Sequence, residues 1–305
     1  MVRSRYPAAC CLLLVCAIAN LAGAAPPGGQ RLRTIDDVRG GKKSFQLNEI
    51  PESQCDMKAL RGSGPTALAM PKMNWKHAQT DHFVVHYERK IFARKVARMA
   101  EFFYDYIAED LDATEDRVDG RSHIFIFRSS SQWEAFMGAS RATTEWAFAF
   151  VQGTGMYLQP AGNTKDSGSI LAHEMTHLVL NRFFSGRPPI WLNEGLAEWY
   201  EEFGYAAFKG TKKSRRAQFR RLRYRIPVED LVRMKSYPNE IKEVHAFYET
   251  SKFLVGYLML KWPPAKIIPF TEDMLAGMEL AAALQRHYDI GSLDELAEGF
   301  DDFVR

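Results

Sequence analysis

His173-Glu174-Met175-Thr176-His177 is the stretch that reveals most about this chain, because its spacing matches a metal site on a helix. An α-helix has about 3.6 residues per turn, so His173 and His177 lie on the same face and can direct ring nitrogens at one metal ion. Glu174 lies one residue further round, where it can reach a water molecule beside the metal but cannot easily join both histidines as a ligand. The pattern predicts two metal ligands and a general base.

The same pentapeptide also occurs by chance on ordinary helices, so its surroundings have to support it. Helix-compatible apolar residues surround the motif: Ile170, Leu171, Met175, Leu178 and Val179. Ser185-Gly186-Arg187-Pro188-Pro189 then stops the helix, and the stretch from Ile190 to Phe203 is predicted to form the next one. Two helices joined by a short breaker can face each other across a shared site.

The second helix offers the third metal ligand. Catalytic zinc usually takes three protein ligands, and the stretch Asn193-Glu194-Gly195-Leu196-Ala197-Glu198 contains two carboxylates. Glu194 and Glu198 are four residues apart and share a helix face, so the residues alone permit either one.

Together these motifs resemble the gluzincin zinc metallopeptidases, especially the small secreted bacterial peptidase MA-like domains, over residues 173–198. The resemblance implies one zinc ion with His173, His177 and Glu194 as ligands and Glu174 as general base. It also implies that Glu198 accepts the remaining N–H of a ligating imidazole, which fixes the tautomer of the ring.

In similar gluzincins a tyrosine downstream of the third ligand stabilises the oxyanion of the tetrahedral intermediate. Tyr248, in the predicted helix from His245 to Leu254, matches this role best, and His245 is the rival donor. The alternative is an ordinary amphipathic helix that buries Phe247, Phe253 and Leu254.

The first 24 residues are predicted to be a secretory signal peptide. Arg3 and Arg5 precede an apolar run from Ala9 to Leu21, and Ala22-Gly23-Ala24 is a small-residue cleavage signal. The apolar run is shorter than the roughly 20 residues that span a bilayer, so we expect a soluble protein exported to the periplasm or the extracellular space. Cys55 is the one cysteine after the signal peptide, which excludes an internal disulfide.

The net charge of the whole chain does not indicate nucleic-acid binding, because loss of the predicted signal peptide lowers it from +3 to +1. The segment from Lys209 to Arg225 is different: it has nine basic residues and no acidic one. Such a segment can attract an acidic partner, including an acidic substrate. The alternative is a solvated helix face anchored by Phe219 and Leu222.

The predicted fold class is α+β, with a mixed-sheet lobe at residues 76–166, a mainly helical lobe at 167–305, and the metal site between them. Residues 25–75 are rich in Gly, Pro and charge and are predicted to form a flexible leader. Strands are expected at Phe83 to Tyr87, His123 to Phe127, Ala147 to Val151 and Gly155 to Gln159. We expect the last of these to be a sheet edge that holds an extended peptide.

These observations favour a secreted zinc metallopeptidase that hydrolyses peptide bonds of a peptide or protein substrate. Two other functions stay open: a non-catalytic secreted binding protein with a structural zinc, and a zinc hydrolase of another amide or ester. The presence of Glu174 favours an enzyme, because a purely structural site needs no general base.

Overall fold

The chain combines a six-stranded mixed sheet in its N-terminal half with a mostly helical C-terminal half, which confirms the predicted α+β class. These features come from a computed structural model, which describes residues 47–140, 148–159, 167–211, 214–215, 219, 222 and 224–305. The predicted signal peptide lies outside these residues. No helix in the described ranges is long and apolar enough to cross a membrane.

The sheet has the strand order β1-β2-β3-β4-β6-β5. Its strands are β1 (Asn48–Ile50), β2 (Lys76–Gln79), β3 (Phe83–Tyr87), β4 (Ser122–Ile126), β5 (Ala149–Gln152) and β6 (Gly155–Leu158). The central neighbours β3, β4 and β6 run parallel, whereas β1, β2 and β5 pair antiparallel. All residues of β3, β4 and β6 are buried, as expected for central strands that are covered on both faces.

Each face of the sheet packs against helices. The helices of this half are α1 (Gly64–Leu68), α2 (Lys90–Asp110) and α3 (Ser130–Ser140). The long helix α2 joins β3 to its parallel neighbour β4 and buries its apolar face in the main core, next to Val85 and Ile124. A separate aromatic cluster covers the other face: Phe125, Phe127, Trp133, Phe136 and Tyr157.

Three buried histidines from adjacent strands form a row beside this aromatic cluster. The Nδ1 atoms of His77 and His86 are 2.8 Å apart, and Nε2 of His86 is 3.0 Å from Nδ1 of His123. The His86 ring stacks on Phe125 with a centroid distance of 4.4 Å. Because the two nitrogens of His86 contact different neighbours, the row is a chain of hydrogen bonds and not a chelating site.

The C-terminal half consists of seven α-helices within the described residues. They are α4 (Ser167–Phe183), α5 (Ile190–Phe208), α6 (Val228–Arg233), α7 (Ile241–Lys261), α8 (Ile267–Leu275), α9 (Leu280–Tyr288) and α10 (Leu293–Val304). At the centre of this half, α5 packs against α4 on one side and against α7 on the other. Their buried residues belong to the same core as the α2 face of the sheet, so the two halves share one hydrophobic interior.

Part of the predicted flexible leader is folded, and for residues 47–75 that prediction is wrong. Strand β1 pairs with β2, and α1 lies in the same region of the chain. Trp75 donates its indole N–H to the carbonyl oxygen of Ala67 at 3.0 Å, and Ser63 is hydrogen-bonded to Gln152. These contacts are non-local and leave no periodic pattern in the sequence. Residues 25–46 lie outside the described part of the chain.

The prediction that Gly155 to Gln159 forms a sheet edge is also wrong. Strand β6 pairs with β4 on one side and with β5 on the other, so it is an inner strand. A two-residue turn, in which Gly153 has a φ of +57°, folds β5 back along β6 and places β5 at the edge of the described sheet. Strand β5 lies against α4, which carries the histidine motif.

In the basic segment from Lys209 to Arg225, two described residues are held inside the protein. The guanidinium of Arg215 lies 3.3 Å from Asp110 and its side chain is 9% exposed. Phe219 is buried against Trp199 and Phe253. Phe219 therefore anchors the segment as expected, but Arg215 does not belong to a solvated face and is not available to an acidic partner.

Candidate metal centre

Helix α4 places the histidine motif with one side on the core and the other toward α5. The core side consists of Leu171, Ala172, Met175, Leu178 and Val179, each at most 5% exposed. His173 and His177 project from the other side, and each side chain is 13% exposed. Arg182 fixes the end of the helix through a 2.6 Å ion pair with Asp116. The motif is thus held on a rigid element.

Helix α5 approaches α7 closely at Gly195, the residue after Glu194. A Cβ atom at Gly195 would lie 2.5 Å from the backbone oxygen of Ser251 and 2.5 Å from a methyl carbon of Val255. Only glycine permits this approach without a shift of one helix. The close packing sets the position of α5, which carries Glu194 toward the two histidines.

Replacement of Gly195 by alanine is expected to destabilise the protein by about 1–3 kcal/mol, because the added methyl group overlaps backbone atoms of α7. Denaturant unfolding of both proteins measures the difference. Gly138→Ala in α3 is the matched control: its Cβ meets no atom within 4 Å, so a helical alanine is expected to leave stability unchanged or raise it by about 0.5–1 kcal/mol. Equal stability of the two variants would contradict the role assigned to Gly195.

Three donor atoms converge where the two helices face each other. Nε2 of His173 lies 3.2 Å from Nε2 of His177 and 3.2 Å from Oε2 of Glu194. The third side of this triangle, from Nε2 of His177 to Oε2 of Glu194, is 3.4 Å. Ligands about 2.0–2.1 Å from a tetrahedral zinc ion are about 3.3 Å from one another. The triangle therefore has the dimensions of one face of a zinc coordination tetrahedron.

The charges around this triangle also suit a cation. Burial opposes a proton on His173, but Glu194 and Glu201 outweigh it and raise the pKa of this histidine well above its ordinary value. Burial likewise disfavours the Glu194 carboxylate, yet His177 and His173 lower its pKa well below the usual range. Two imidazoles and an ionised carboxylate form a donor set that zinc prefers.

Glu174 lies beside this triangle on the same helix and is partly buried. Burial raises the pKa of its carboxyl group, and electrostatic interaction with the two histidines of the motif opposes this rise only in part. A carboxylate whose pKa is raised is a stronger base, which suits it to accept a proton from water near neutral pH.

Glu198 and Glu201 both face the second nitrogen of His173. Nδ1 of His173 lies 3.7 Å from Glu198 and 3.2 Å from Glu201. Burial and the charge of Glu201 raise the pKa of Glu198 to about 7. Burial also raises the pKa of Glu201, but the hydrogen bond with His173 opposes burial, and the net shift of the Glu201 pKa is downward. Glu198 thus lies on the side of the ring that the resemblance implies, but Glu201 is the closer partner.

Two tyrosines line the site, one of them not foreseen in the sequence. The ring of Tyr248 lies edge-on to His173 with a centroid distance of 6.3 Å, so the structure brings Tyr248 to the site. Tyr237, in the loop before α7, donates a 2.6 Å hydrogen bond to Oε1 of Glu194 and stacks on Tyr248. His245, the rival donor, has no hydrogen-bond partner among the described residues.

Glu201 and Tyr237 are the site residues that sequence reasoning missed. Glu201 is seven residues after Glu194, two helical turns along the same face, so helical periodicity offered a signal for it. Tyr237 is in a short non-helical segment before Pro238, and nothing in its local sequence marks it.

Comparison with known proteins adds no assignment, because no family model and no curated protein matches the chain. The resemblance to the gluzincins therefore rests on the sequence motifs of residues 173–198 alone.

Proposed function

We propose that this protein is a zinc-dependent peptidase. The observation that carries the proposal is the triangle formed by His173, His177 and Glu194, whose sides of 3.2–3.4 Å match a face of a zinc tetrahedron. Structural zinc sites usually have four protein ligands, whereas catalytic sites have three and keep one position open. Three converging donors beside the partly buried carboxylate of Glu174 support a catalytic site over a structural one.

The side chains around the triangle have complementary roles in hydrolysis. Zinc bound there would supply Lewis acidity, which lowers the pKa of water and polarises a carbonyl group. Glu174 accepts the proton of the attacking water and passes it to the leaving amine. Tyr248 is the donor that can stabilise negative charge on the carbonyl oxygen. Tyr237 donates its single O–H to Glu194 and thereby orients that carboxylate.

The position of β5 at the edge of the described sheet supports the proposal that the substrate is a peptide. The strand lies against α4, and an extended peptide can pair with its outer backbone groups by adding a strand to the sheet. Such pairing uses hydrogen bonds to the backbone of the substrate and not to its side chains. It therefore favours a peptide or protein substrate over a small ester or amide. With the predicted signal peptide, the proposed setting is the periplasm or the extracellular space.

The first test is metal binding. We expect the purified protein to bind one zinc ion per chain, and His177→Ala and Glu194→Ala each to weaken zinc binding by on the order of 100-fold or more, because each removes one of three ligands. Competition with a chromogenic chelator measures the dissociation constants. Glu279→Ala, an exposed residue outside the site, is the control and should bind zinc like the wild type.

The second part of the test is cleavage of a peptide library by the zinc-loaded protein. Cleavage is expected to stop when a chelator removes the metal and to return when zinc is added. Tight zinc binding without cleavage of any peptide would contradict the peptidase proposal, and failure to bind zinc would contradict the metal centre itself.

A further inference from the structure

The imidazole of His173 is held between carboxylates at both of its nitrogens. Nε2 faces Glu194 at 3.2 Å, and Nδ1 faces Glu201 at 3.2 Å, while Glu198 is further away at 3.7 Å. Glu194 and Glu201 are both on α5, separated by seven residues or about 10 Å along the helix. One helix thus contacts both ends of the same ring.

His173, Glu198 and Glu201 have the composition of a second cation site, and the three side chains offer donor atoms within 4.8 Å of one another. Two features argue against a second ion. A ring that binds a metal through Nε2 normally keeps its proton on Nδ1, which then needs an acceptor and not a cation. In addition, the half-buried ammonium of Lys252 is paired with Glu202 beside these carboxylates, so a positive charge is already present.

We propose that Glu201 is the positioning residue of His173. It accepts the Nδ1–H of the ring, and this hydrogen bond turns the Nε2 lone pair toward His177 and Glu194. Lys252 offsets the charge of the carboxylates behind the ring. Glu198 packs beside this pair without orienting the ring, because 3.7 Å is too long for an effective hydrogen bond. The inference rests on the proposed zinc centre and names the residue that pre-orients its first ligand.

Zinc alone is the probe, so the experiment needs no substrate. Glu201→Ala removes the acceptor and is expected to weaken zinc binding about 10–100-fold. Glu201→Gln keeps an oxygen that can accept the same hydrogen bond and is expected to recover part of that loss. Glu198→Ala is the matched control on the same helix and should change the dissociation constant less than about threefold, since it breaks no short contact with the ring. Zinc per chain is measured in parallel.

The pattern across the three variants decides the proposal. Equal losses in Glu201→Ala and Glu201→Gln would show that charge and not orientation matters, and a larger loss in Glu198→Ala would assign the role to Glu198. Two zinc ions per wild-type chain would overturn the inference in favour of a second metal site. If the wild type binds one zinc and cleaves peptides while Glu201→Ala binds zinc equally well, only this inference fails. If the wild type binds no zinc, the proposed function fails with it.

Discussion

Replacement of Glu174 by glutamine is expected to reduce peptide hydrolysis by about 10²–10⁴-fold while zinc remains bound. The amide has nearly the shape of the carboxylate, so it fits the same partly buried position on α4, but it has no basic oxygen to accept a proton from water. Glu174 is not one of the three converging donors, and its replacement should therefore leave the zinc dissociation constant nearly unchanged. The measurement is kcat/KM for one identified peptide, with zinc content determined on the same samples.

The matched control is Glu298→Gln, which makes the same chemical change at an exposed position of α10. This variant should keep activity within about twofold, since exposed substitutions away from a site usually have small effects. If zinc-loaded Glu174→Gln keeps more than a tenth of wild-type activity, another group is the base. If it loses zinc together with activity, Glu174 acts on the metal and the assigned role is wrong.

The parts of the site that could be predicted from the sequence are those set by one helix. The i, i+4 spacing of His173 and His177 fixes their common face wherever α4 lies in the fold. The choice between Glu194 and Glu198 could not be made in the same way, since both residues share a face of α5. It depends on how far α5 is shifted along α4, and that shift is set by the close approach of Gly195 to Ser251 on a third helix.

The sheet shows the same division between local and distant causes. Alternation and β-branched or aromatic content predicted β3, β4, β5 and β6 as strands close to their observed bounds. Their order could not be predicted locally, because parallel pairing of β4 with β6 joins segments separated by α3 and β5. Strand β1 has three residues and depends on its pairing with β2, so its sequence had no pattern of its own.

The row of buried histidines predicts a marked loss of stability in mild acid. A neutral imidazole has one N–H and one acceptor nitrogen. If each ring donates to the next ring in the same direction along the row, His86 donates one hydrogen bond and accepts the other, and both of its contacts are satisfied. A further proton would place a cation in an apolar, aromatic setting. The nearby acidic residues are Glu52, 3.9 Å from His77, and Asp56, which is itself paired with Arg121.

Burial accordingly lowers the pKa of each of these histidines. Burial lowers the pKa of His123 to about 4, although Asp56 opposes the shift. For His86, burial and the neighbouring histidines lower the pKa well below its ordinary value, and burial also lowers that of His77. The unfolded chain therefore takes up protons first as the pH falls. The contribution of the three histidines to the free energy of unfolding is fully present above about pH 6.5 and is lost progressively toward pH 4. His123 alone contributes about 3 kcal/mol of this loss.

The free energy of unfolding, measured by denaturant titration between pH 7.5 and 4.5 with a chelator present, tests this expectation. His123→Phe removes one titrating ring and is expected to reduce the slope by about 1.2 kcal/mol per pH unit between pH 6 and 5, because about 0.9 fewer protons are taken up on unfolding. Phe136→Leu, which changes the adjacent aromatic cluster but no titrating group, serves as the control: it should lower stability and leave the slope as in the wild type. Protons bound near the metal centre affect all three proteins alike and cancel in the comparison. An unchanged slope in His123→Phe would mean that the row does not link protonation to unfolding, and the acid sensitivity would then have to come from the carboxylates.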